Sequence, residues 1–142
     1  GGLAELGTWV RSKGATAAHA KVVALRIAQL LEVDEPNDRG RCLMANDLGE
    51  AGVFELLERL PQPDAYIALA LERNELQSLP ATCARFVRVR TLHLDGNPMS
   101  NAPSPDGLRA LFPDLRLIHV RNCALRAGVA EALRGAGYQL VG

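Results

Sequence analysis

Hydrophobic and polar residues follow two patterns that alternate along the second half of the chain. Segments 69–71 and 92–94 place leucines at every second position, which is typical of a short strand whose side chains point to opposite faces. The intervening segments carry apolar residues three and four positions apart, which share one face of a helix. The sequence therefore predicts short strands separated by returning segments that cover one face of each strand.

The strand segments belong to an internal repeat that starts at an apolar residue and ends just after an asparagine or cysteine. Its near-complete copies read Tyr66-x-x-Leu69-x-Leu71-x-x-Asn74-x-Leu76, Val89-x-x-Leu92-x-Leu94-x-x-Asn97-x-Met99 and Leu115-x-x-Ile118-x-Val120-x-x-Cys123-x-Leu125. A weaker copy, Leu43-x-x-Asn46-x-Leu48, precedes them, and a truncated copy, Tyr138-x-x-Val141, follows. A repeat of this kind predicts stacking, because one unit cannot bury its apolar face alone.

This pattern resembles the leucine-rich repeat, LxxLxLxxN/CxL, over residues 38–142. The resemblance implies an α/β solenoid of about four repeats, the last one truncated. It implies a short parallel sheet on the concave side, and helices and irregular segments on the convex side. The 28-residue step from Asn46 to Asn74 resembles the ribonuclease-inhibitor type, and the later repeats resemble typical and short intracellular members.

The returning segments are predicted to differ from one another. Apolar residues at helical spacing over 53–60, followed by Pro61, predict a full helix, whereas the next segment predicts little regular helix. Ser104 is a predicted N-cap with Pro105 at the first helical position. A last helix is predicted over 129–133.

Residues 1–37 do not match the repeat and are predicted to form a helical N-terminal cap. Two amphipathic helices fit here, and a stacked array needs a terminal cap to cover the open end of its core. The alternative is that residues 17–31 are the convex helix of a degenerate earlier repeat whose strand is lost.

One polar position in each repeat is predicted to be structural. It is occupied by Asn46, Asn74, Asn97 and Cys123. An asparagine amide at the bend that leaves a strand can satisfy backbone groups in the turns of adjacent repeats. A cysteine can replace it as a small and weakly polar residue.

The outward positions of the strands are the candidate binding surface. The position between the two leucines is assigned to Cys42, Ala70, His93 and His119, and the position after the second leucine to Met44, Glu72, Asp95 and Arg121. The predicted partner-binding residues are Glu72, Arg90, His93, Asp95, Arg116, His119 and Arg121. Their arginines and histidines favour an acidic or phosphorylated partner. The alternative is an ordinary solvated surface in which Arg121 pairs with Asp95 across strands.

The sequence lacks four common motifs of catalytic and cofactor-binding sites. GxGxxG, GxxxxGK[ST], GxSxG and HExxH do not occur, so we expect no enzyme activity, no catalytic residue and no cofactor. His93 and His119 have no carboxylate or cysteine at ligand spacing, which does not favour a metal site. Three scattered cysteines and the absence of a long apolar run predict a reduced cytoplasmic protein that does not engage a membrane.

Charge changes this picture only when it is divided along the chain. The net charge is zero, but residues 1–80 carry 8 basic and 12 acidic side chains, and residues 81–142 carry 8 basic and 4 acidic ones. In a stacked array the halves of the sequence become the halves of the molecule, so a charged partner remains compatible with net neutrality.

The function predicted from these features is a non-enzymatic protein–protein interaction module or scaffold that binds a protein or peptide on the concave strand face. One alternative is the recognition domain of a larger enzyme or assembly. Another is nucleic-acid contact through the basic C-terminal half, which is less favoured because aromatic residues make up only 4% of the chain. The oligomeric state is left open.

Overall fold

A computed structural model of the 142-residue chain describes residues 41–142. The predicted cap over residues 1–37 lies outside the described residues. Strands β1 (Arg41–Met44), β2 (Tyr66–Ala70), β3 (Thr91–His93), β4 (Leu117–His119) and β5 (Gln139–Val141) form one sheet. Helices α1 (Gly49–Arg59), α2 (Pro105–Leu111) and α3 (Val129–Gly135) and the 3-10 helices Pro63–Ala65 and Ala81–Arg85 connect them.

The sheet is parallel throughout and its strands follow chain order from β1 to β5. One row of paired residues crosses all five strands: Leu43, Leu69, Leu92, Ile118 and Leu140. The first four are at most 2% exposed, whereas their neighbours along β3 and β4 are half-buried. The chain is therefore of the α/β class, with one sheet face on the core and the other open.

Helix α1 forms because its apolar residues recur at helical spacing and its end is blocked by proline. Val53, Leu56 and Leu57 are fully buried against the sheet. Leu60 leaves the helical region at φ −59° and ψ 126°, as expected for a residue that precedes proline. Arg85 then covers the end of this helix, because its guanidinium donates to the carbonyls of Leu57 and Leu60 at 2.9 and 3.1 Å.

The shorter returning segments follow the sequence-based expectations. The Ser104 hydroxyl accepts a 3.1 Å hydrogen bond from the Gly107 N–H at the start of α2, which confirms the predicted N-cap. Helix α3 ends in a turn in which the Tyr138 N–H donates to the Leu133 carbonyl at 3.1 Å. Gly137 lies within this turn and has a positive φ of 102°.

The turns that leave the strands share one backbone conformation. Asp47, Arg73, Gly96 and Asn122 all have positive φ. At Gly96, a side-chain Cβ would lie 2.9 Å from Cγ of Arg73, so glycine also makes room for the neighbouring arginine. Repetition of this turn brings the polar residues after each strand to one edge of the sheet. Within residues 41–142, no helix is both long and apolar enough to cross a bilayer.

Candidate functional site

The buried asparagines fix the turns beneath the candidate surface. Asn97 is 0% exposed, and its amide donates to the carbonyls of Leu71 and Leu94 at 2.8 and 3.0 Å. Its Oδ1 accepts from the N–H groups of Asn74 and Leu76 at 2.8 and 3.0 Å. One side chain therefore satisfies backbone groups in two successive turns.

Asn74 performs the same task one turn earlier in the chain. It is also 0% exposed, and it donates to the carbonyls of Ala45 and Glu72 at 2.7 and 3.2 Å. Its Oδ1 accepts from the N–H of Leu48 at 2.8 Å. At the far end, Cys123 Sγ lies 3.0 Å from the Leu94 carbonyl, so the thiol takes the place of the amide donor there.

Asn46 does not occupy this structural position, which corrects the sequence-based assignment. Leu43 pairs with Leu69, which is 26 positions later in the chain. With the same offset, Leu48 corresponds to Asn74, and Asn46 corresponds to Glu72. The spacing Leu43-x-x-Asn46 imitates the second half of the repeat. In the structure, Leu43 is instead the first leucine of the strand, and the buried Ala45 stands where a second leucine was expected.

The same shift in register changes which residue of β1 lies in each row of the open sheet face. Met44 pairs with Ala70, whereas Cys42 pairs with Ala68, so Met44 and not Cys42 joins the row of Ala70, His93 and His119. The last strand is also shifted relative to the Tyr138-x-x-Val141 interpretation. Leu140 pairs with Ile118, and Val141 pairs with His119.

Two histidines stand side by side at the centre of the open sheet face. His93 and His119 are paired residues of β3 and β4, and their rings stack with centroids 4.2 Å apart and planes inclined by 19°. Because the rings face each other along the direction between strands, their edges carry the polar nitrogens away from the stack. Ala70 and Val141 flank the pair in the same row.

Two exposed arginines lie next to each other at the amino-terminal edge of β3 and β4. Arg116 N–H donates to the Arg90 carbonyl at 3.0 Å, which places the two residues level on adjacent strands. Within residues 41–142, Arg90, Arg116 and Arg121 form no ion pair; the ion pairs there are Arg59–Glu55 and Arg109–Asp106. Guanidinium groups that are charged, exposed and unpaired can bind an incoming anion.

The opposite edge of the face carries the acidic residues, Glu72 and Asp95, both half-buried. Asp95 Oδ1 accepts from the backbone N–H of Arg121 at 2.7 Å. The expected alternative, a side-chain pair between Asp95 and Arg121, is therefore replaced by a carboxylate that holds the next turn. The residues predicted from the sequence thus lie on and beside β2, β3 and β4, with the arginine pair and the acidic residues at opposite ends of these strands.

Thr91 also lies on this face, although the partner-binding residues predicted from the sequence do not include it. Thr91 is half-buried and pairs with Leu117 between the arginine pair and the histidine pair. The signal was present, because Thr91 lies two positions before His93 and shares its side of the strand.

The described thiols are held away from reactivity. Cys83 is fully buried, and burial raises the pKa of its thiol from 9.0 to about 12. Burial likewise raises the pKa of the Cys123 thiol, and the nearby Asp95 charge acts in the same direction. In the part of the chain that the structure describes, no three His, Cys, Asp or Glu side chains are placed to hold a metal ion.

The raised pKa of Cys83 predicts a loss of stability at alkaline pH. Above about pH 9 the unfolded chain releases a proton that the folded chain keeps until about pH 12, so rising pH stabilises the unfolded state relative to the folded state. We expect the Cys83 share of the unfolding free energy to fall by about 1.4 kcal/mol per pH unit within that window. Urea denaturation on either side of about pH 9 checks this. Cys83→Ser, which lacks the titrating thiol, is expected to show a shallower pH dependence, and equal slopes would contradict the prediction.

The chain is similar to one curated protein, the ribonuclease inhibitor of Sus scrofa. The two are 33% identical over 105 residues, which cover 65% of this chain and 22% of the relative. The chain therefore spans about a fifth of the length of the relative that it matches. No family model and no solved structure matches it. The relative is a leucine-rich-repeat protein, so the similarity agrees with the resemblance that the repeat itself carries.

Proposed function

We propose that this chain is a leucine-rich-repeat solenoid and a non-enzymatic protein-interaction module or scaffold. Its open sheet face is the concave surface that binds a protein or peptide partner. The observation that carries the proposal is the row of His93 and His119 beside exposed arginines that form no ion pair within residues 41–142, on a sheet face that these residues leave open. The core, in contrast, leaves no buried side-chain polar atom of the described residues without a hydrogen bond.

The similarity to a ribonuclease inhibitor supports a binding role, because the name of that protein describes action on another protein. The polar residues of the face are not needed by the core, since Arg90, Arg116 and Arg121 are exposed. Cys83 and Cys123 are free thiols, which supports a reducing, cytoplasmic setting. The surface serves equally in a module that acts alone and in the recognition part of a larger enzyme or assembly.

The charge of the face supports an anionic partner. Three arginines and two histidines lie on β3, β4 and the residues that flank them, against Glu72 and Asp95 at one edge. An anionic surface gains charge-assisted hydrogen bonds from the arginines and is guided to this end of the molecule by its field.

Changing Arg90, Arg116 and Arg121 to Glu is expected to weaken binding of the principal partner by about a hundredfold or more. The change removes three cationic donors and adds three repelling charges, at about 1–3 kcal/mol for each lost contact. The partner is first identified by affinity purification with the 142-residue chain and is then purified. Titration calorimetry against the unchanged and the triply substituted chain gives the two dissociation constants.

The matched control changes Arg109, Arg126 and Arg134 to Glu. These arginines are exposed and lie on α2, α3 and the segment before α3, so the net charge changes equally while the ends of β3 and β4 stay intact. Full retention of binding by the first variant, or equal loss in both, would remove the concave face as the site. If the purified partner is a nucleic acid, with affinity that falls steeply as salt rises, the protein-binding proposal fails.

A further inference from the structure

The open sheet face carries a compact group of anion-binding donors between β3 and β4. Arg90 and Arg116 lie level at one edge, and His93 and His119 stack about three residues further along, some 10 Å away at ~3.3 Å per residue. Thr91 lies between the two pairs on the same face. Adjacent strands are about 4.8 Å apart, so these five residues lie within an area of about 5 by 10 Å on two adjacent strands and the segments that lead into them.

The donors in this space match a phosphate better than a carboxylate. A phosphorylated side chain carries a charge of about −1.5 to −2 at pH 7 and three strong acceptor oxygens. Two guanidinium groups can each bind two of these oxygens, and the Thr91 hydroxyl and the imidazole N–H groups add further donors. A carboxylate has one charge and two oxygens, so a single arginine already satisfies it.

Charged neighbours restrict the anion to this part of the face. Glu72 and Asp95 stand at the carboxyl-terminal edge, beyond the histidine pair, and would repel an anion there. Arg88 and Asp114 precede the two arginines by two residues, and their opposite charges offset each other. The space over Thr91 is therefore the most favourable position for a negative group.

The neighbouring strand offers an apolar surface at the same level. Arg90 N–H donates to the Ile67 carbonyl at 2.8 Å, and Ala68 pairs with Thr91, so Ile67 and Ala68 lie beside the donor group. Both side chains are half-buried. From β2 to the midpoint between β3 and β4 is about 7 Å, or about two residues of an extended peptide.

We propose that Arg90, Thr91, His93, Arg116 and His119 form a binding site for a phosphorylated side chain of an extended protein segment. A hydrophobic residue about two positions away in that segment packs on Ile67 and Ala68. This inference rests on the proposed function, since it names the chemistry of the partner at the same surface.

Fluorescence anisotropy of end-blocked synthetic peptides with the full chain tests the site. The probe contains phosphoserine with leucine two residues before or after it, and matched peptides carry serine or glutamate instead of phosphoserine. We expect the phosphoserine peptide to bind at least about tenfold more tightly than either matched peptide. Equal binding of the glutamate peptide would overturn the phosphate specificity, and absence of binding by every peptide would overturn the site.

Substitutions then locate the bound phosphate. Changing Arg90 and Arg116 to Gln is expected to remove the preference for phosphoserine, whereas the same change at the exposed Arg126 and Arg134 should leave it intact. Thr91→Val keeps the shape of the side chain and removes the hydroxyl, so it should weaken only the phosphorylated peptide. Retention of the preference in the Arg90 and Arg116 variant would overturn the assignment.

The hydrophobic contact has its own test. Ile67→Ser should weaken the leucine-containing phosphopeptide more than one with glycine in place of leucine, and equal effects would overturn this part of the proposal. If all phosphopeptides fail while the triple Arg→Glu variant still loses its purified partner, the phosphate site is wrong and the interaction function stands.

Discussion

Replacing Asn97 with alanine is expected to lower the free energy of unfolding by about 3–5 kcal/mol. The side chain makes four buried hydrogen bonds, two as donor and two as acceptor. Alanine leaves the N–H groups of Asn74 and Leu76 and the carbonyl of Leu71 without this partner, and each buried unsatisfied group costs about 1–3 kcal/mol. Urea denaturation followed by circular dichroism measures the difference.

Two further variants separate the hydrogen bonds from other effects. Asn101→Ala is the matched control, because Asn101 is exposed and contributes its backbone N–H to Gln77 at 2.8 Å; it should change stability by less than about 0.5 kcal/mol. Asn97→Asp keeps the acceptor but loses both donors and buries a charge, so we expect at least as large a loss as for alanine. A loss below about 1 kcal/mol for Asn97→Ala would show that the amide does not hold the two turns.

The central strands could be predicted from sequence because their residues satisfy several requirements at once. In β3, Leu92 must face the core, His93 must then face solvent, and Asn97 must reach the turn. Each of these positions supports the same register, so an error of one residue would bury a histidine and expose a leucine. The pairing of His93 with His119 follows from that register, whereas the stacking of their rings depends on side-chain rotamers that no repeat pattern specifies.

The terminal strands could not be placed in the same way because their sequences satisfy fewer requirements. In β1, Ala45 is small enough to stand in the position of a leucine and Leu48 stands where asparagine was expected, so Leu43 and Asn46 imitate a different part of the repeat. Before β5, the positive φ of Gly137 turns the chain, and Tyr138 becomes buried without lying in the row of strand leucines. The backbone conformation at a turn decides the register of both strands, and residue type is a weak predictor of that conformation.

The candidate binding surface could likewise be predicted from the sequence only in part. Strand alternation and the repeat length place His93 and His119 in one row of the open face, and the hydrogen bond from Arg116 N–H to the Arg90 carbonyl sets the two arginines level at the start of β3 and β4. The alternative interpretation paired Asp95 with Arg121, but a carboxylate next to a tight turn can also accept from a backbone N–H, and Asp95 does so. The Arg121 guanidinium is consequently left exposed and without an ion pair among residues 41–142.

Replacing Phe86 with alanine is expected to cost about 3–5 kcal/mol. Phe86 is 0% exposed at the end of the 3-10 helix Ala81–Arg85, and its ring meets Tyr66 edge to face with centroids 5.9 Å apart. Alanine removes the buried apolar surface, leaves a cavity that the sheet and the short helix cannot fill, and loses an aromatic contact of about 0.5–1.5 kcal/mol. Urea denaturation measures this loss as a lower midpoint urea concentration. The slope of unfolding free energy against urea concentration should stay the same, because the substitution does not change the surface exposed on unfolding.

The neighbouring residue provides the control for Phe86. Val87 is 44% exposed, so Val87→Ala should change the free energy of unfolding by less than about 0.5 kcal/mol. Phe86→Leu keeps most of the apolar volume and should recover more than half of the loss caused by alanine, because the cavity is smaller. A loss below about 1 kcal/mol for Phe86→Ala would contradict the burial of this ring in the core.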